Sequence, residues 1–167
     1  VMTILGSYSR VFLHPITIDE CFLDFTGLPQ DLTEYSLQIC KTVKQWTGIP
    51  ISIGIAPTKT LAKLANRLAK KGYSANGEVL DWQTLSRPDE VLETIALDDL
   101  WGISRRTVVK LQALGIKNAL DLSNSDPKRM RQHLGVVMER IVCELQGISC
   151  IPLEEMPPPR KQILTSR

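Results

Sequence analysis

The sequence has no CxxC pair, and its four cysteines and two histidines do not lie at the spacings of a zinc site. It also has no apolar run approaching the roughly 18 residues that span a membrane. Its net charge of +2 is too small to identify a partner. These absences disfavour a metal-stapled or membrane-spanning protein and indicate a reducing, intracellular compartment. The apolar fraction of 43% is enough for a core in one domain or two small ones.

The first half of the chain alternates predicted strands and helices, which indicates an α+β sheet domain. The predicted elements are strands over residues 11–18 and 21–25, a helix over 33–46, a strand over 49–55, a helix over 58–71 and a strand over 78–81. Ile39, Val43 and Trp46 share one face of the first helix, so we expect all three to pack.

Short side chains and a glycine mark the expected ends of these two helices. Asp31 or Thr33 can cap the first helix, and Thr58 can cap the second. Gly72 can terminate the second helix.

The second half of the chain, from about residue 83, has a purely helical pattern. The predicted helices cover residues 87–95, 97–100, 105–114, a segment beginning at 127, and 136–146. Residues 101–104 form a tight connection between the second and third of these helices, and residues 156–159 form a stiff, extended linker. Both ends of the chain interrupt elements, so we expect it to be a piece of a longer protein.

Asp19 and Glu20 are adjacent carboxylates at the junction of the first two predicted strands. Such a pair can bind hard cations such as Mg²⁺, which serve phosphoryl and nucleotidyl transfer. A solvated turn is the simpler interpretation of the pair taken alone. A two-metal site needs at least one more carboxylate from elsewhere in the protein.

The predicted helix over residues 58–71 has five basic residues within about a third of its circumference and no acidic residue. We call this set the basic stripe: Lys59, Lys63, Arg67, Lys70 and Lys71. Like charges four residues apart repel each other, so the stripe is suited to phosphates. A solvated helix face is the alternative.

Residues 100–114 resemble a helix-hairpin-helix, in which backbone N–H groups and a helix N-terminus point at a DNA phosphate without reading bases. Residues 101–104, WGIS, are called the hairpin below. The candidate DNA-binding residues are Gly102, Ile103, Ser104, Arg105, Arg106 and Lys110. An ordinary pair of helices without DNA contact is the alternative.

Three ordered motifs resemble the Y-family of translesion DNA polymerases. Residues 17–27, TIDECFLDFTG, are similar to the family motif that contains an Asp-Glu pair. Residues 52–66, SIGIAPTKTLAKLAN, resemble a second motif of the catalytic palm, and residues 101–106, WGISRR, resemble the hairpin of the thumb. The tryptophan before the hairpin and the run TKTLAK favour the UmuC-like branch, the type of the DNA polymerase V catalytic subunit.

The resemblance implies the C-terminal part of a palm over residues 1–82, with a ferredoxin-like antiparallel sheet and helices on one face. A small all-α thumb with a helix-hairpin-helix follows over residues 83–153, and residues 154–167 lead into a little finger domain. The implied activity is error-prone DNA synthesis across damaged bases in the SOS response, by two-metal nucleotidyl transfer.

The resemblance also implies roles for individual residues. Asp19 bridges two Mg²⁺ ions, Glu20 binds the ion near the primer 3′ end, and Lys70 contacts the incoming triphosphate. Ser104 stands where the family has a second glycine, and a positive φ there would cost serine about 1 kcal/mol. The family's first metal-binding aspartate, its steric-gate aromatic residue and its fingers precede Val1 in register, so we expect the chain alone not to polymerise DNA.

The partners implied by the resemblance are primer–template DNA, including damaged template, and deoxynucleoside triphosphates. A UmuD-type dimer, a RecA filament and a sliding clamp are implied as protein partners, in the bacterial cytoplasm at the nucleoid. Two other hypotheses remain open: a non-catalytic DNA-binding module built around the hairpin, and a palm-like nucleotidyl cyclase that turns over free nucleotide.

Overall fold

The structure is a computed structural model that describes residues 14–15 and 19–151. The chain divides into two compact units: Ile51–Ile151 form one, and the described residues up to Pro50 belong to the other. The predictions for residues 11–13, 16–18 and 154–167 therefore lie outside the described residues.

The first unit contains a short antiparallel hairpin and one long helix. Strand β1 (His14–Pro15) pairs with β2 (Cys21–Phe22), with His14 opposite Phe22. Helix α1 (Leu32–Thr47) begins where the Asp31 side chain accepts a hydrogen bond from the backbone N–H of Glu34 at 3.0 Å. Asp31 was one of two predicted caps for this helix, and the structure confirms it.

The predicted packing of α1 is correct for two of three residues. Ile39 and Val43 are buried, but Trp46 is 71% exposed, so the prediction that it packs with them is wrong. Trp46 lies in the last turn of α1, just before the left-handed Gly48 that ends the helix. An apolar face predicted from periodicity gives the direction of a side chain but not the length of the surface that covers it.

The second unit begins with a strand–helix–strand arrangement. Strand β3 (Ile53–Ile55), helix α2 (Lys59–Lys70) and strand β4 (Val79–Asp81) follow each other, and β3 pairs with β4 in parallel with Ile53 opposite Val79. The expectation of an antiparallel sheet holds for β1 and β2 but is wrong for β3 and β4. The reason is that α2 is a crossover, which returns the chain to the end of the sheet from which β3 started.

Helix α2 packs unusually close to strand β3. A Cβ atom built on Gly54 would lie 2.1 Å from the backbone nitrogen of Asn66 and 2.3 Å from the carbonyl oxygen of Ala62. Only glycine leaves room for this approach. At the start of α2, the Thr58 hydroxyl accepts a hydrogen bond from the N–H of Leu61 at 3.3 Å, which confirms the predicted cap.

The remainder of the second unit is helical, as predicted. It contains 3₁₀ turns at Trp82–Thr84 and Leu97–Asp99 and the helices α3 (Pro88–Glu93), α4 (Arg105–Ala113), α5 (Ala119–Ser123), α6 (Pro127–Leu134) and α7 (Val136–Leu145). In place of a helix over residues 97–100, the first arm of the hairpin is a single 3₁₀ turn. Pro88 and Pro127 each stand in the first turn of their helices, where no backbone donor is needed.

One hydrophobic core connects α2 with the helices that follow β4. Leu64 and Leu68 of α2 belong to the same buried cluster as Leu97, Leu111 and Met138. The α+β class is therefore confirmed, and the core continues across the predicted boundary between residues 82 and 83, which stays a prediction. Among the described residues, no helix is both long enough and apolar enough to cross a membrane.

Candidate carboxylate site and nucleic-acid interface

The carboxylate pair of the first unit lies directly before strand β2. Asp19 is exposed and Glu20 is half-buried, and the next residue, Cys21, pairs with Pro15 of β1. The pairing of β1 with β2 fixes the backbone just after both carboxylates. The structure thus places the two residues at one end of the paired strands β1 and β2, at the strand junction expected from the sequence.

The side chains of Asp19 and Glu20, beside strand β2, offer oxygen atoms as ligands. Burial raises the pKa of the Cys21 thiol, which disfavours its thiolate form. Carboxylate oxygens suit hard cations such as Mg²⁺. In the part of the chain that the structure describes, no group of three His, Cys, Asp or Glu residues could hold a metal ion. Asp19 and Glu20 thus fit such an ion chemically but supply only part of a ligand set.

The basic stripe on α2 is engaged within the second unit along most of its length. The Lys59 ammonium donates a hydrogen bond to the carbonyl oxygen of Ile151. The Lys63 ammonium lies 5.6 Å from the centre of the Trp101 ring. The Arg67 guanidinium donates to a carboxylate oxygen of Asp99 at 2.5 Å. The acidic residue missing from the helix itself is therefore supplied 32 positions further along the chain.

The C-terminal end of the basic stripe differs from the rest. Lys70 is the last residue of α2, Lys71 follows as its cap, and both side chains are exposed. Gly72 has a φ of +84°, which ends the helix as predicted. Lys70 and Lys71 are therefore the members of the stripe best placed to meet an external anion.

The hairpin has the turn geometry that its sequence requires. Gly102 has a φ of +85°, whereas Ser104 has a φ of −85°. Serine therefore causes no backbone strain at the position where the family has a second glycine. Its hydroxyl accepts a hydrogen bond from the N–H of Thr107 at 3.3 Å and so caps α4.

The predicted DNA-binding residues of the hairpin and α4 divide by exposure. Ile103 is only 8% exposed and belongs to the core, so it anchors the turn instead of facing solvent. Gly102 and Ser104 are exposed, and so are the three basic side chains, Arg105, Arg106 and Lys110. This surface combines a helix N-terminus with unburied positive charge, which is the chemistry that binds a phosphate.

Sequence reasoning missed Glu144 of α7, a fully buried carboxylate. One of its oxygens accepts from the N–H of Thr60 at 3.3 Å, and the other accepts from the N–H of Cys150 at 3.0 Å. Its backbone carbonyl accepts from the Thr58 hydroxyl at 2.8 Å. The carboxylate of Glu144 therefore lies at the N-terminus of α2, where the helix dipole favours a negative charge. This contact joins α7 to α2. The only sequence signal was an acidic residue within the apolar run of residues 141–145.

The fold of the chain is that of Y-family polymerases. A solved structure described as a post-insertion binary complex of Dbh DNA polymerase superimposes with a TM-score of 0.68, at 20% identity, over 91% of this chain and 44% of that chain. At this level of identity the likeness concerns the fold alone.

The sequence comparisons specify the branch. Residues 1–67 match the model of the impB/mucB/samB family. Protein UmuC from Salmonella typhimurium strain LT2 is 45% identical over 153 residues, which are 90% of this chain and 36% of that protein. DNA polymerase IV from Bacillus velezensis strain FZB42 is 32% identical over 151 residues, or 89% of this chain and 34% of that protein. The chain is thus similar to UmuC proteins over nearly all of its own length, and it spans little more than a third of the length of these relatives.

Proposed function

We propose that the full-length protein containing this sequence performs template-directed, error-prone DNA synthesis across damaged bases. The observation that carries the proposal is the carboxylate pair Asp19–Glu20, held beside β2 in a chain that is 45% identical to a UmuC protein. Within the proposal, residues 1–82 are the C-terminal part of the palm, residues 83–153 are the thumb, and residues 154–167 lead to a further domain.

The proposed roles follow from the chemistry of each side chain. Asp19 and Glu20 would hold divalent cations, with Mg²⁺ as the proposed metal, together with a carboxylate from outside the described residues. When bound, such ions neutralise the charge of the triphosphate and lower the pKa of the attacking hydroxyl. The exposed ammonium of Lys70 binds the incoming triphosphate, and the hairpin binds phosphates of the duplex.

The proposal extends to the partners of the intact protein. Primer–template DNA and deoxynucleoside triphosphates are the substrates. A UmuD-type dimer, a RecA filament and a sliding clamp are the proposed accessory proteins, at the bacterial nucleoid. The 167-residue chain alone is proposed to be inactive, because the described residues supply two carboxylates where a two-metal site needs more.

The test is primer extension across an abasic site by the full-length protein with its accessory proteins. The variant is Asp19→Ala/Glu20→Ala, and its matched control is Asp89→Ala/Glu90→Ala, which removes the same two residue types from an exposed helix start. We expect synthesis by the wild type and the control, and a loss of at least about a thousandfold in the variant because the metal ligands are gone.

A second measurement separates the metal site from folding. Binding of Mn²⁺, followed by its paramagnetic effect on water relaxation, should weaken in the variant but not in the control. Equal synthesis by the variant and the wild type would remove Asp19 and Glu20 from the active site.

A non-catalytic DNA-binding module is the second candidate, and the exposed Arg105, Arg106 and Lys110 beside the hairpin favour it. It predicts that the full-length protein binds DNA but extends no primer, with or without Asp19 and Glu20. DNA retention by the Asp19→Ala/Glu20→Ala variant with loss of synthesis would instead support the enzyme.

A further inference from the structure

Two side-chain contacts connect α2 to Asp99 and to Trp101, the first residue of the hairpin. The Arg67 guanidinium donates to the Asp99 carboxylate at 2.5 Å and to the Asp99 carbonyl at 3.4 Å. One turn earlier on α2, the Lys63 ammonium lies 5.6 Å from the centre of the Trp101 ring, within the range of a cation–π interaction. The contacts are four residues apart on α2 and two residues apart on the facing segment.

Two apolar side chains anchor the same segment in the hydrophobic core. Leu100 and Ile103 are 4% and 8% exposed and belong to the core shared with α2. Leu100 lies between Asp99 and Trp101 in the sequence. The contacts of Arg67 with Asp99 and of Lys63 with Trp101 therefore lie on either side of this buried side chain. A Cβ on Gly102 would lie 3.4 Å from the Ile141 side chain, so the hairpin also rests against α7. The position of the hairpin is therefore defined by α2 and α7 together.

We propose that Lys63 and Arg67 are positioning residues, which fix the hairpin in the orientation that binds DNA and do not themselves bind phosphate. The inference rests on the proposed binding of DNA by the hairpin. Asp99 and Trp101 are the other halves of the same arrangement.

The charge of Asp99 makes this inference testable. A carboxylate three residues before Gly102 repels a nearby phosphate, so its removal on electrostatic grounds alone strengthens DNA binding. If Asp99 positions the hairpin through Arg67, its removal weakens DNA binding. The two roles of Asp99 therefore predict changes of opposite sign.

The first experiment measures binding of the full-length protein to a fluorescent primer–template as a function of salt. The variants are Asp99→Asn, Arg67→Gln, their double mutant and Lys63→Gln, with Glu139→Gln as control. Glu139 forms an ion pair with Arg131 at 3.0 Å, which joins α6 to α7 and involves no residue of α2 or of the hairpin.

We expect Asp99→Asn and Arg67→Gln each to weaken DNA binding by about three- to tenfold, with the double mutant no worse than either, because they remove one contact. Lys63→Gln should also weaken binding. The slope of log K against log salt should stay within about 0.5 of wild type, whereas each lost phosphate contact lowers it by about 0.9. Tighter binding by Asp99→Asn, together with a slope lowered by about 0.9 in Arg67→Gln, would overturn the proposal.

The second experiment needs no DNA. Amide hydrogen exchange of residues 100–104 should accelerate in Asp99→Asn and Arg67→Gln but not in Glu139→Gln, because the hairpin loses a support. Unchanged exchange would overturn the positioning role by itself. A different result is that the wild type does not bind DNA although exchange still accelerates in the two variants. That result would contradict the proposed DNA binding by the hairpin, and it would still show that Asp99 and Arg67 hold the hairpin in place.

Discussion

The second unit has two basic surfaces that look alike in sequence and differ in the folded chain. On α2, Lys59, Lys63 and Arg67 each have a partner within the unit. On α4, Arg105 and Arg106 point into solvent directly after the hairpin. The first surface holds the unit together and the second is available to an external anion.

The difference shows what a charge pattern can establish. Helical periodicity places basic residues on one face, but it does not reveal what lies opposite that face. The partners of the basic stripe are Asp99, Trp101 and Ile151, which are all remote from α2 in sequence. A helix without acidic residues is therefore not a helix without counter-charge.

The contacts of the basic stripe require that α2 be held firmly against β3. Gly54→Ala should disturb this packing and have the largest effect on stability. The added methyl meets backbone atoms of α2 at 2.1–2.3 Å, which cannot move without separating α2 from β3. We expect the free energy of unfolding to fall by about 3 kcal/mol or more in urea denaturation. The control is Gly77→Ala, which has open space but a φ of +74° and should cost only about 1 kcal/mol. Equal costs for the two variants would contradict the close packing.

Glu144→Ala should weaken the attachment of α2 to α7. It leaves the N–H groups of Thr60 and Cys150 without their acceptor, so we expect the free energy of unfolding to fall by about 2 kcal/mol. Glu139→Ala is the matched control on the same helix, where the ion pair with the exposed Arg131 side chain contributes at most about 1 kcal/mol. Glu144→Gln keeps one acceptor and should fall between the two. A loss no larger than that of the control would mean that the buried carboxylate is not needed.

The exposed surface on α4 should account for the salt dependence of DNA binding. Replacing Arg105, Arg106 and Lys110 by alanine should lower the slope of log K against log salt by about 2.7, since each phosphate contact contributes about 0.9. Lys41→Ala/Lys44→Ala, on the exposed face of α1, is the control and should change the slope little. An unchanged slope in the triple variant would place the DNA elsewhere.

The smallest expected effect concerns the cap of α4. Ser104→Ala removes the hydrogen bond to the N–H of Thr107 and should cost about 1 kcal/mol of unfolding free energy. Ser104→Gly should cost only a few tenths of a kcal/mol, because glycine is a tolerated cap. Thermal denaturation distinguishes the two. A gain in stability with glycine would indicate that serine is strained there, contrary to its φ of −85°.

Local signals in the sequence predicted most of the secondary structure. Asp31, Thr58 and Gly72 mark helix ends by side-chain or backbone chemistry that acts within four residues, and each lies where it was expected. The α+β class and the UmuC-like resemblance also followed from ordered motifs. What failed was the direction of pairing between β3 and β4, because a strand pattern does not specify its neighbour's direction.

The long-range contacts of the site could not be predicted in the same way. Glu144 meets Thr60 across 84 residues and Arg67 meets Asp99 across 32, and no periodicity connects such positions. Trp46 was expected to pack, but it is exposed. Periodicity could not predict this exposure, because it does not give the extent of the surface that covers a helix face. The roles of Asp19, Glu20, Lys70 and the hairpin remain predictions that the experiments above address.

The contact between Lys59 and Ile151 has a mechanical consequence. It joins the first turn of α2 to the last described residue across 92 positions. Glu144 reinforces it by binding the N–H of Cys150, one residue earlier. The point at which the described chain ends is therefore fixed against the first turn of α2, so any change that displaces this turn also displaces Ile151.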